Sequence, residues 1–417
     1  MTARRFPVDW QLVTIALLLS IYGIAIVYSA GQTDVHTGVT RLWRSQLMWF
    51  GLSLFAAYGM TRVSVRLLDW LAWPMYGLTI AMLVLLLFIG KGAGTAAISK
   101  AWLAIGGVRI GQPSELAKIT VVIALAKVLS QYKEPPRSLL ELWKPAVIVL
   151  VPAALIIKEP DLGTGIVFVG FTFAMLFWLG LEWRLLILAA SPVVSLILAF
   201  NTHLWAAWFL LLIALIVSYK PYMYEGILVL CLNVIFGVIS PIVWEKMAPY
   251  QRRRLVVFID PQADPRMSGY HVIQSQIAIG SGGWLGKGFT MGTQKRLAFL
   301  PEQHTDFIFA VVGEELGFLG VTIALTLFFL LFLRVVHIAQ RANDSFSSLV
   351  AFGLFGGWFV HVLINVGMTL NLMPITGIPL PFFSYGGSFL LSSWMAIGLL
   401  VRISAEGRGG RLRSFLV

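Results

Sequence analysis

Charged residues are scarce in this sequence. Only 12% of its 417 residues are Asp, Glu, Lys or Arg, whereas 58% are hydrophobic. An average soluble domain carries about 25% charged residues. Several single apolar runs are also longer than a buried core helix needs to be. The composition therefore excludes a water-soluble protein and predicts a membrane protein.

Three further features are absent. Cys231 is the only cysteine, so a disulfide or a thiolate metal site within one chain is excluded. The first apolar run, 12–30, has full membrane length and no small-residue cleavage site, which predicts a retained helix rather than a signal peptide. No clear internal repeat is visible, which argues against a transporter built from inverted halves.

Apolar runs of membrane length occur throughout the chain. A helix needs about 20 residues to cross the hydrocarbon core. Twelve runs approach or reach that length, at 12–30, 46–61, 71–90, 114–130, 145–157, 164–181, 184–200, 204–219, 225–243, 307–333, 349–371 and 387–402. We therefore predict an all-α polytopic membrane protein of about twelve transmembrane helices, forming one domain over 1–417. The longest connection, 244–306, is predicted as a long extracytoplasmic loop.

The basic residues indicate orientation. The net charge is +12, but Lys and Arg lie mainly in the connections between apolar runs, which favours a topological cause over nucleic-acid binding. With the N-terminus inside, the short cytoplasmic connections hold most of these residues. We therefore expect both termini in the cytoplasm.

A polar stretch, 112–118, opens the fourth run. Glu115 and Lys118 are three residues apart and share one helix face. One interpretation is that Glu115 caps the helix and Lys118 neutralises it. The other is that Lys118 faces a polar cavity and binds an anion. Arg109 lies just before, in a segment (102–110) whose Gly-Gly weakly predicts a hairpin at the membrane surface.

A second charged stretch, 158–164, lies between two runs. Asp161 directly precedes an apolar run, and Asp is a preferred helix N-cap. Capping of the following helix is therefore the first interpretation of Asp161.

The long connection begins with three consecutive arginines, Arg252, Arg253 and Arg254. The planar guanidinium group matches phosphate oxygens, so arginines beside a membrane suit a phosphate or pyrophosphate head group. The alternative is that they anchor the chain to the lipid surface.

Acidic residues and a histidine crowd the start of the tenth run. Glu302, His304 and Asp306 lie within five residues, and Glu314 and Glu315 follow ~12–13 Å deeper on the same helix. A carboxylate here could act as a general base, whereas the alternative is an ordinary N-cap. The helix N-terminus weakens such a base, and burial strengthens it.

A proline-rich connection precedes the last run. Pro374, Pro379 and Pro381 cannot continue a helix, and Ser384 begins a Ser-Tyr-Gly-Gly-Ser stretch. Irregular backbone at membrane depth is tolerated where it lines a cavity. The alternative is a plain loop between two helices.

Taken together, these motifs resemble the SEDS family (shape, elongation, division and sporulation proteins), and the resemblance runs over nearly the whole chain. Within the family, the stretches Ile279 to Gly283 and Gly286 to Gln294 look like the elongation members rather than the division members. The motifs that carry the resemblance are 112–118, 160–164, 252–264, 300–307 and 377–388. The family usually has ten membrane helices, so an apparent extra pair lies between 184 and 243.

The resemblance implies a peptidoglycan glycosyltransferase that polymerises lipid II at the outer face of the bacterial cytoplasmic membrane during elongation. It assigns the family's essential aspartate to Asp306 and its cavity-facing polar pair to Glu115 and Lys118. It also implies a class B penicillin-binding protein as partner, together with other membrane proteins of the elongation complex.

The expected chemistry is a single displacement with Asp306 as general base. Cations are needed for the pyrophosphate that leaves. The residues predicted to bind substrate are Glu115, Lys118, Arg109, Arg252, Arg253, Arg254, His304 and Ser384. The sequence has no compact metal-ligand motif, and a divalent cation (Mg or Mn) could help. Two rivals are a lipid II flippase and a non-catalytic scaffold for the cross-linking partner.

Overall fold

The computed structural model describes residues 8–34, 38–90, 101–105, 108–264, 268–300 and 302–414. Two short antiparallel strands, β1 (Leu103–Ile105) and β2 (Val108–Gly111), form a hairpin. The described residues otherwise form helices and connections. The α-helices are α1 (Trp10–Ala30), α2 (Leu42–Arg62), α3 (Val65–Ile89), α4 (Pro113–Leu129), α5 (Trp143–Lys158), α6 (Leu162–Trp178), α7 (Trp183–Leu198), α8 (Thr202–Tyr219), α9 (Met223–Lys246), α10 (Pro249–Ile259), α11 (Ser268–Gly282), α12 (Thr293–Arg296), α13 (Ile308–Gln340), α14 (Ser345–Thr369) and α15 (Gly387–Ser414).

All twelve predicted runs are helical, as α1 to α9 and α13 to α15. Among the described residues, eight helical segments are long and apolar enough to cross a membrane, and α6 and α7 are shorter apolar helices. The prediction of an all-α polytopic membrane protein is therefore confirmed. The other two of the twelve helices, α2 and α4, carry more polar residues.

Helix α4 lies in the interior of the bundle. It packs against α3, α5, α6, α14 and α15, and most of its side chains are buried. At the periphery, α8 has only one buried residue, Leu212, and packs against α7 and α9. A chain that buries α4 so completely brings the polar residues of that helix into the protein core rather than to lipid.

The 244–306 connection differs from the irregular loop that its length suggests. Helix α9 extends to Lys246, and α10, α11 and α12 follow. Helix α11 lies directly on the first part of α13, because Gly282 has no side chain. A Cβ atom at Gly282 would stand 1.9 Å from the carbonyl oxygen of Gly313. The described part of the connection is thus a helical layer packed over one end of the bundle.

The proline-rich connection between α14 and α15 is irregular, as predicted, and it enters the bundle. Leu380, Phe382 and Phe383 are at most 1% exposed. Gly23 of α1 lets the backbone of Phe383 approach, since a Cβ there would lie 2.5 Å from the Phe383 Cα. This buried connection lies at the end of the bundle where α4, α6, α13 and α15 begin, hereafter the Asp306 end.

Candidate functional site

The turn that carries Asp306 is docked onto the buried connection. Ser384 donates its hydroxyl hydrogen to the carbonyl oxygen of Thr305 (2.6 Å) and accepts a hydrogen bond from the Leu380 amide (2.8 Å). The Tyr385 amide donates to the His304 carbonyl oxygen at 2.9 Å. Ser384 is only 2% exposed. Its hydroxyl therefore holds the Asp306 turn on the buried connection. Ser384 was predicted to bind substrate, but both of these hydrogen bonds are made within the chain.

A buried asparagine on α14 fixes the same turn from the side. The side-chain amide of Asn365 donates to the carbonyl oxygens of Asp306 (3.0 Å) and Ile378 (2.8 Å). Two carbonyl groups of different connections are thereby held by one fully buried side chain. These hydrogen bonds fix the position of the Asp306 backbone.

The carboxylate of Asp306 and the guanidinium of Arg254 converge at Gly377. A Cβ atom at Gly377 would lie 3.3 Å from Asp306 Oδ2 and 3.7 Å from Arg254 Nη1. Gly377 has a φ of +76°, which a residue with a side chain rarely adopts. Because Gly377 has no side chain, the space between the Asp306 carboxylate and the Arg254 guanidinium group stays open.

The surroundings of Asp306 make it a stronger base than an ordinary aspartate. The pKa of Asp306 is raised to about 6, mainly by burial and further by the negative charges of Glu302 and Asp161, whereas Arg254 and a hydrogen bond from Thr305 act in the opposite direction. Burial is thus the largest influence on this carboxylate, and it acts in the direction that strengthens a base. A carboxylate with this pKa is still mostly ionised at neutral pH and suits proton abstraction.

His304 lies beside Asp306 in the same turn. Its Nε2 atom is 3.9 Å from Glu302 Oε2, and its ring is tilted against Tyr385 with centroids 5.8 Å apart. Burial lowers the pKa of His304, although Glu302 acts in the opposite direction. A neutral imidazole at this place can donate or accept a hydrogen bond at the edge of the site.

Glu115 and Lys118 form a buried pair on α4. Lys118 Nζ lies 2.7 Å from Glu115 Oε2, 3.0 Å from His361 Nε2 and 4.6 Å from the centre of the Phe389 ring. Both charged side chains line a cavity between α4, α6, α14 and α15. The structure places Lys118 at this cavity, whose lining is mostly apolar, and the anion-binding interpretation of this motif stays a prediction.

Asp161 links the start of α4, where Glu115 and Lys118 lie, to the turn that carries Asp306. It accepts hydrogen bonds from the Thr164 amide (3.0 Å) and hydroxyl (2.8 Å), so the predicted capping of α6 is confirmed. The side-chain amide of Gln112 also donates to Asp161, at 3.2 Å. Because the charge of Asp161 influences Asp306, the start of α4 and the Asp306 turn belong to one polar region.

The three consecutive arginines separate. Arg254 reaches the Asp306 side and lies over the Tyr250 ring, 5.7 Å from its centre. Arg252 donates to the Glu245 carbonyl oxygen and lies over Trp244. Arg253 is exposed. One helix cannot aim three successive side chains at one point, so the structure brings only Arg254 of this run to Asp306.

Glu314 and Glu315 do not join the Asp306 group. Glu314 accepts from Lys287 (2.7 Å), and Glu315 pairs with Lys295 (2.8 Å), which also donates to Ser29. Both glutamates are buried against the 287–295 segment. They hold that segment on α13, which explains acidic residues at this depth without a role in catalysis. The remaining predicted residue, Arg109, belongs to β2, and its side chain lies outside the described residues.

Two residues of this region were missed by sequence reasoning, His361 and Asn365. Both are polar residues within the apolar run 349–371, and they lie four residues apart on one face of α14. Polar residues inside a membrane run are functional candidates by default, and this signal would have found both.

A buried acid–base group at one end of a polytopic helical bundle defines a membrane protein with an internal reaction or transport site. The family described as "Cell cycle protein" (FtsW/RodA/SpoVE) matches residues 9–221 and 202–409. The chain belongs to this family. The two matches overlap across α8, inside the region where the sequence predicts the extra helix pair, which stays a prediction.

Relatives and solved structures agree over nearly the full length. The peptidoglycan glycosyltransferase MrdB of Escherichia coli K12 is 35% identical over 399 residues, covering 96% of this chain and 94% of its own. The peptidoglycan glycosyltransferase RodA of Treponema pallidum is 32% identical over 427 residues, covering 95% and 98%. A chain from a structure titled "Structural coordination of polymerization and crosslinking by a peptidoglycan synthase complex" is 29% identical, with a TM-score of 0.72 over 96% of this chain and 98% of that chain. The crystal structure of the rod shape determining protein RodA of Thermus thermophilus is 27% identical, with a TM-score of 0.62 over 96% and 97%.

Proposed function

We propose that the chain is a peptidoglycan glycosyltransferase that polymerises lipid II into β-1,4-linked glycan during cell elongation. The observation that carries the proposal is the carboxylate of Asp306, whose pKa is raised to about 6 and which meets Arg254 at Gly377. Its relatives MrdB and RodA are named for the same activity. A carboxylate with a raised pKa can abstract a proton, and an arginine beside it can stabilise an anionic leaving group.

The proposed reaction is a single displacement. Asp306 accepts the proton of the GlcNAc 4-hydroxyl group of the acceptor, and the oxygen attacks C1 of the MurNAc in the donor chain. The bond from C1 to the pyrophosphate breaks, undecaprenyl pyrophosphate leaves, and the α-linkage becomes a β-linkage. General-base catalysis typically contributes about 10²–10⁴-fold.

The leaving pyrophosphate gains negative charge and needs cations nearby. Arg254 lies on the Asp306 side, and Lys118 lines the neighbouring cavity. Among the described residues, no group of three or more His, Cys, Asp and Glu side chains is arranged to hold a metal ion. A divalent cation, Mg or Mn, would supply further positive charge to the leaving pyrophosphate.

The proposal includes an orientation and a partner. The Asp306 end faces the outside of the bacterial cytoplasmic membrane, and both termini lie in the cytoplasm, in line with the Lys and Arg distribution. The partner is a class B penicillin-binding protein. Support comes from the similar chain whose structure is titled for a complex that coordinates polymerisation and crosslinking.

The flippase alternative predicts charged groups along the full depth of the membrane. Glu314 and Glu315, which could have lined such a path, are paired with Lys287 and Lys295. Charged groups that reach the surface occur at both ends of the bundle, since Asp9 pairs with Arg334 and Arg408 at the end opposite Asp306. Between the two ends, the pairing of Glu314 and Glu315 favours surface chemistry over head-group transport.

The test uses the full chain in liposomes that contain labelled lipid II, with and without a class B penicillin-binding protein. Glycan ladders are resolved by electrophoresis, and movement of lipid II between leaflets is followed in the same vesicles. Ladders support the polymerase. Movement of lipid II without ladders under either condition would show a flippase instead of a polymerase. The absence of both activities would favour the non-catalytic scaffold.

A further inference from the structure

His361 is a buried histidine with a defined partner on each ring nitrogen. It lies on α14 and is 1% exposed. Its Nε2 atom is 3.0 Å from Lys118 Nζ, and its Nδ1 atom is 3.0 Å from the carbonyl oxygen of Pro379. An ammonium group only donates and a carbonyl oxygen only accepts. The ring therefore accepts at Nε2 and donates at Nδ1, which is the arrangement of one neutral tautomer.

This arrangement fixes the direction of a flexible side chain. A lysine ends in a compact charge on a four-carbon stem, and it needs several contacts to take up one position. Glu115 lies one turn before Lys118 on the same helix and can only draw the ammonium back along α4. His361 holds it from the facing helix, at the cavity that both residues line.

The same side of α14 serves both parts of the polar region. His361 contacts Lys118 and the Pro379 carbonyl, and Asn365, one turn later, holds the carbonyls of Asp306 and Ile378. Pro379 and Ile378 are neighbours in the buried connection. His361 and Asn365 therefore hold Lys118 and the Asp306 backbone in place relative to the same short stretch, 378–379.

We propose that His361 is a positioning residue that aims the Lys118 ammonium at the pyrophosphate group of the lipid-linked substrate. The proposal rests on the polymerase function proposed above. Two of the three ammonium hydrogens are directed at Glu115 and His361, which leaves the third for a phosphate oxygen of the substrate. His361 itself does not touch the reacting atoms.

The test compares His361→Gln with His361→Leu in the full chain, reconstituted in nanodiscs. The Gln side chain can accept from Lys118 and donate to Pro379, whereas Leu can do neither. The first readout is equilibrium binding of undecaprenyl pyrophosphate, and the second is lipid II polymerisation. Ser348→Ala is the matched control, because it removes a hydrogen bond to Trp178 elsewhere on α14.

We expect His361→Leu to weaken undecaprenyl pyrophosphate binding by about 10-fold or more, since a hydrogen bond to a charged group is lost. His361→Gln and Ser348→Ala should stay within about threefold of the parent chain on the same grounds. Equal loss in the Gln and Leu variants, or no loss in the Leu variant, would overturn the proposal. Because binding is measured without turnover, the result stands apart from the failure of polymerisation.

A Lys118→Met background provides the decisive comparison if His361→Leu folds poorly by itself. Residues that act through one another show non-additive losses. In that background, His361→Leu should reduce binding by less than about twofold, because the group that it positions is already gone. A full additional 10-fold loss in the double variant would show that His361 acts independently of Lys118 and would contradict the proposal.

Discussion

The backbone carbonyl of Asp306 accepts a hydrogen bond from the side-chain amide of Asn365 at 3.0 Å. The same amide donates to Ile378, so a single buried side chain ties the turn before α13 to the connection before α15. A general base must be held in place to be effective. Asn365 thus links the packing of α14 to the position of the proposed base.

Replacement of Asn365 by Leu should uncouple these two segments. The change removes two donors and leaves two carbonyl groups without them, at a cost of about 1–3 kcal/mol for each buried group left unpaired. We expect polymerisation to fall by at least about 10-fold, with a lower Tm in detergent. Ser348→Ala is again the control. An Asn365→Leu protein with a lower Tm and an undiminished rate would show that Asn365 serves stability alone.

The pKa of Asp306 predicts the pH dependence of the reaction. The base is active when ionised, and its pKa is raised by burial to about 6. The rate should therefore fall about tenfold per pH unit below that value and level off above it. The measurement is the initial rate of lipid II polymerisation between pH 5 and pH 8 at saturating substrate. A profile that is flat down to pH 5 would mean that another group takes the proton.

Gly377 is predicted to be intolerant of a side chain. A Cβ atom there would lie 3.3 Å from Asp306 Oδ2, and the φ of +76° is strained for alanine. Gly377→Ala should therefore reduce the rate and cost about 1–2 kcal/mol of stability. Gly77→Ala is the control, because Gly77 lies in α3 with nothing within 4 Å of the added atom. Equal activity in the two variants would remove Gly377 from the site.

The Lys295–Glu315 pair is predicted to be structural. Both side chains are fully buried and 2.8 Å apart, and burial lowers the pKa of Lys295 while Glu315 opposes this. Glu315→Gln leaves a buried ammonium group without its carboxylate, which typically costs about 3–5 kcal/mol. The Tm should fall, and adding Lys295→Met should restore most of it. A double variant as unstable as Glu315→Gln would show that the charges do not act as a pair.

The sequence predicted the membrane helices well because apolar runs of about 20 residues have one physical explanation. It also singled out Asp306, Glu115 and Lys118, since charged residues near such runs are conspicuous. The site roles of these three stay predictions until they are tested. The helices at 249–259 and 268–282 were less visible, because helices outside the membrane need only short amphipathic patterns.

Tertiary relationships account for what sequence reasoning missed. Glu314 and Glu315 meet Lys287 and Lys295 only because a glycine lets α11 lie on α13. Ser384 lies in a polar motif yet faces inward, where it holds the turn that contains Asp306. Ser384 and Thr305 are about 80 residues apart along the chain, and a single sequence gives no indication that two such distant residues are in contact.

The role of Asp306 as base is tested most directly by comparing Asp306→Asn with Asp260→Asn. Both changes remove one negative charge, but Asp260 is exposed and caps a short turn, which asparagine also does well. A carboxyl whose pKa is raised by folding is most stabilising below its unfolded pKa, and this stability is lost as pH rises to about 6. Asp306→Asn should therefore raise the Tm at pH 7.

The measurement is polymerisation of labelled lipid II by the two purified variants, with a class B penicillin-binding protein, in liposomes at pH 7. The account predicts glycan ladders of parental intensity from Asp260→Asn and none from Asp306→Asn, although the latter is folded and at least as stable. Ladders of equal intensity from both variants would contradict the assignment of Asp306 as the base.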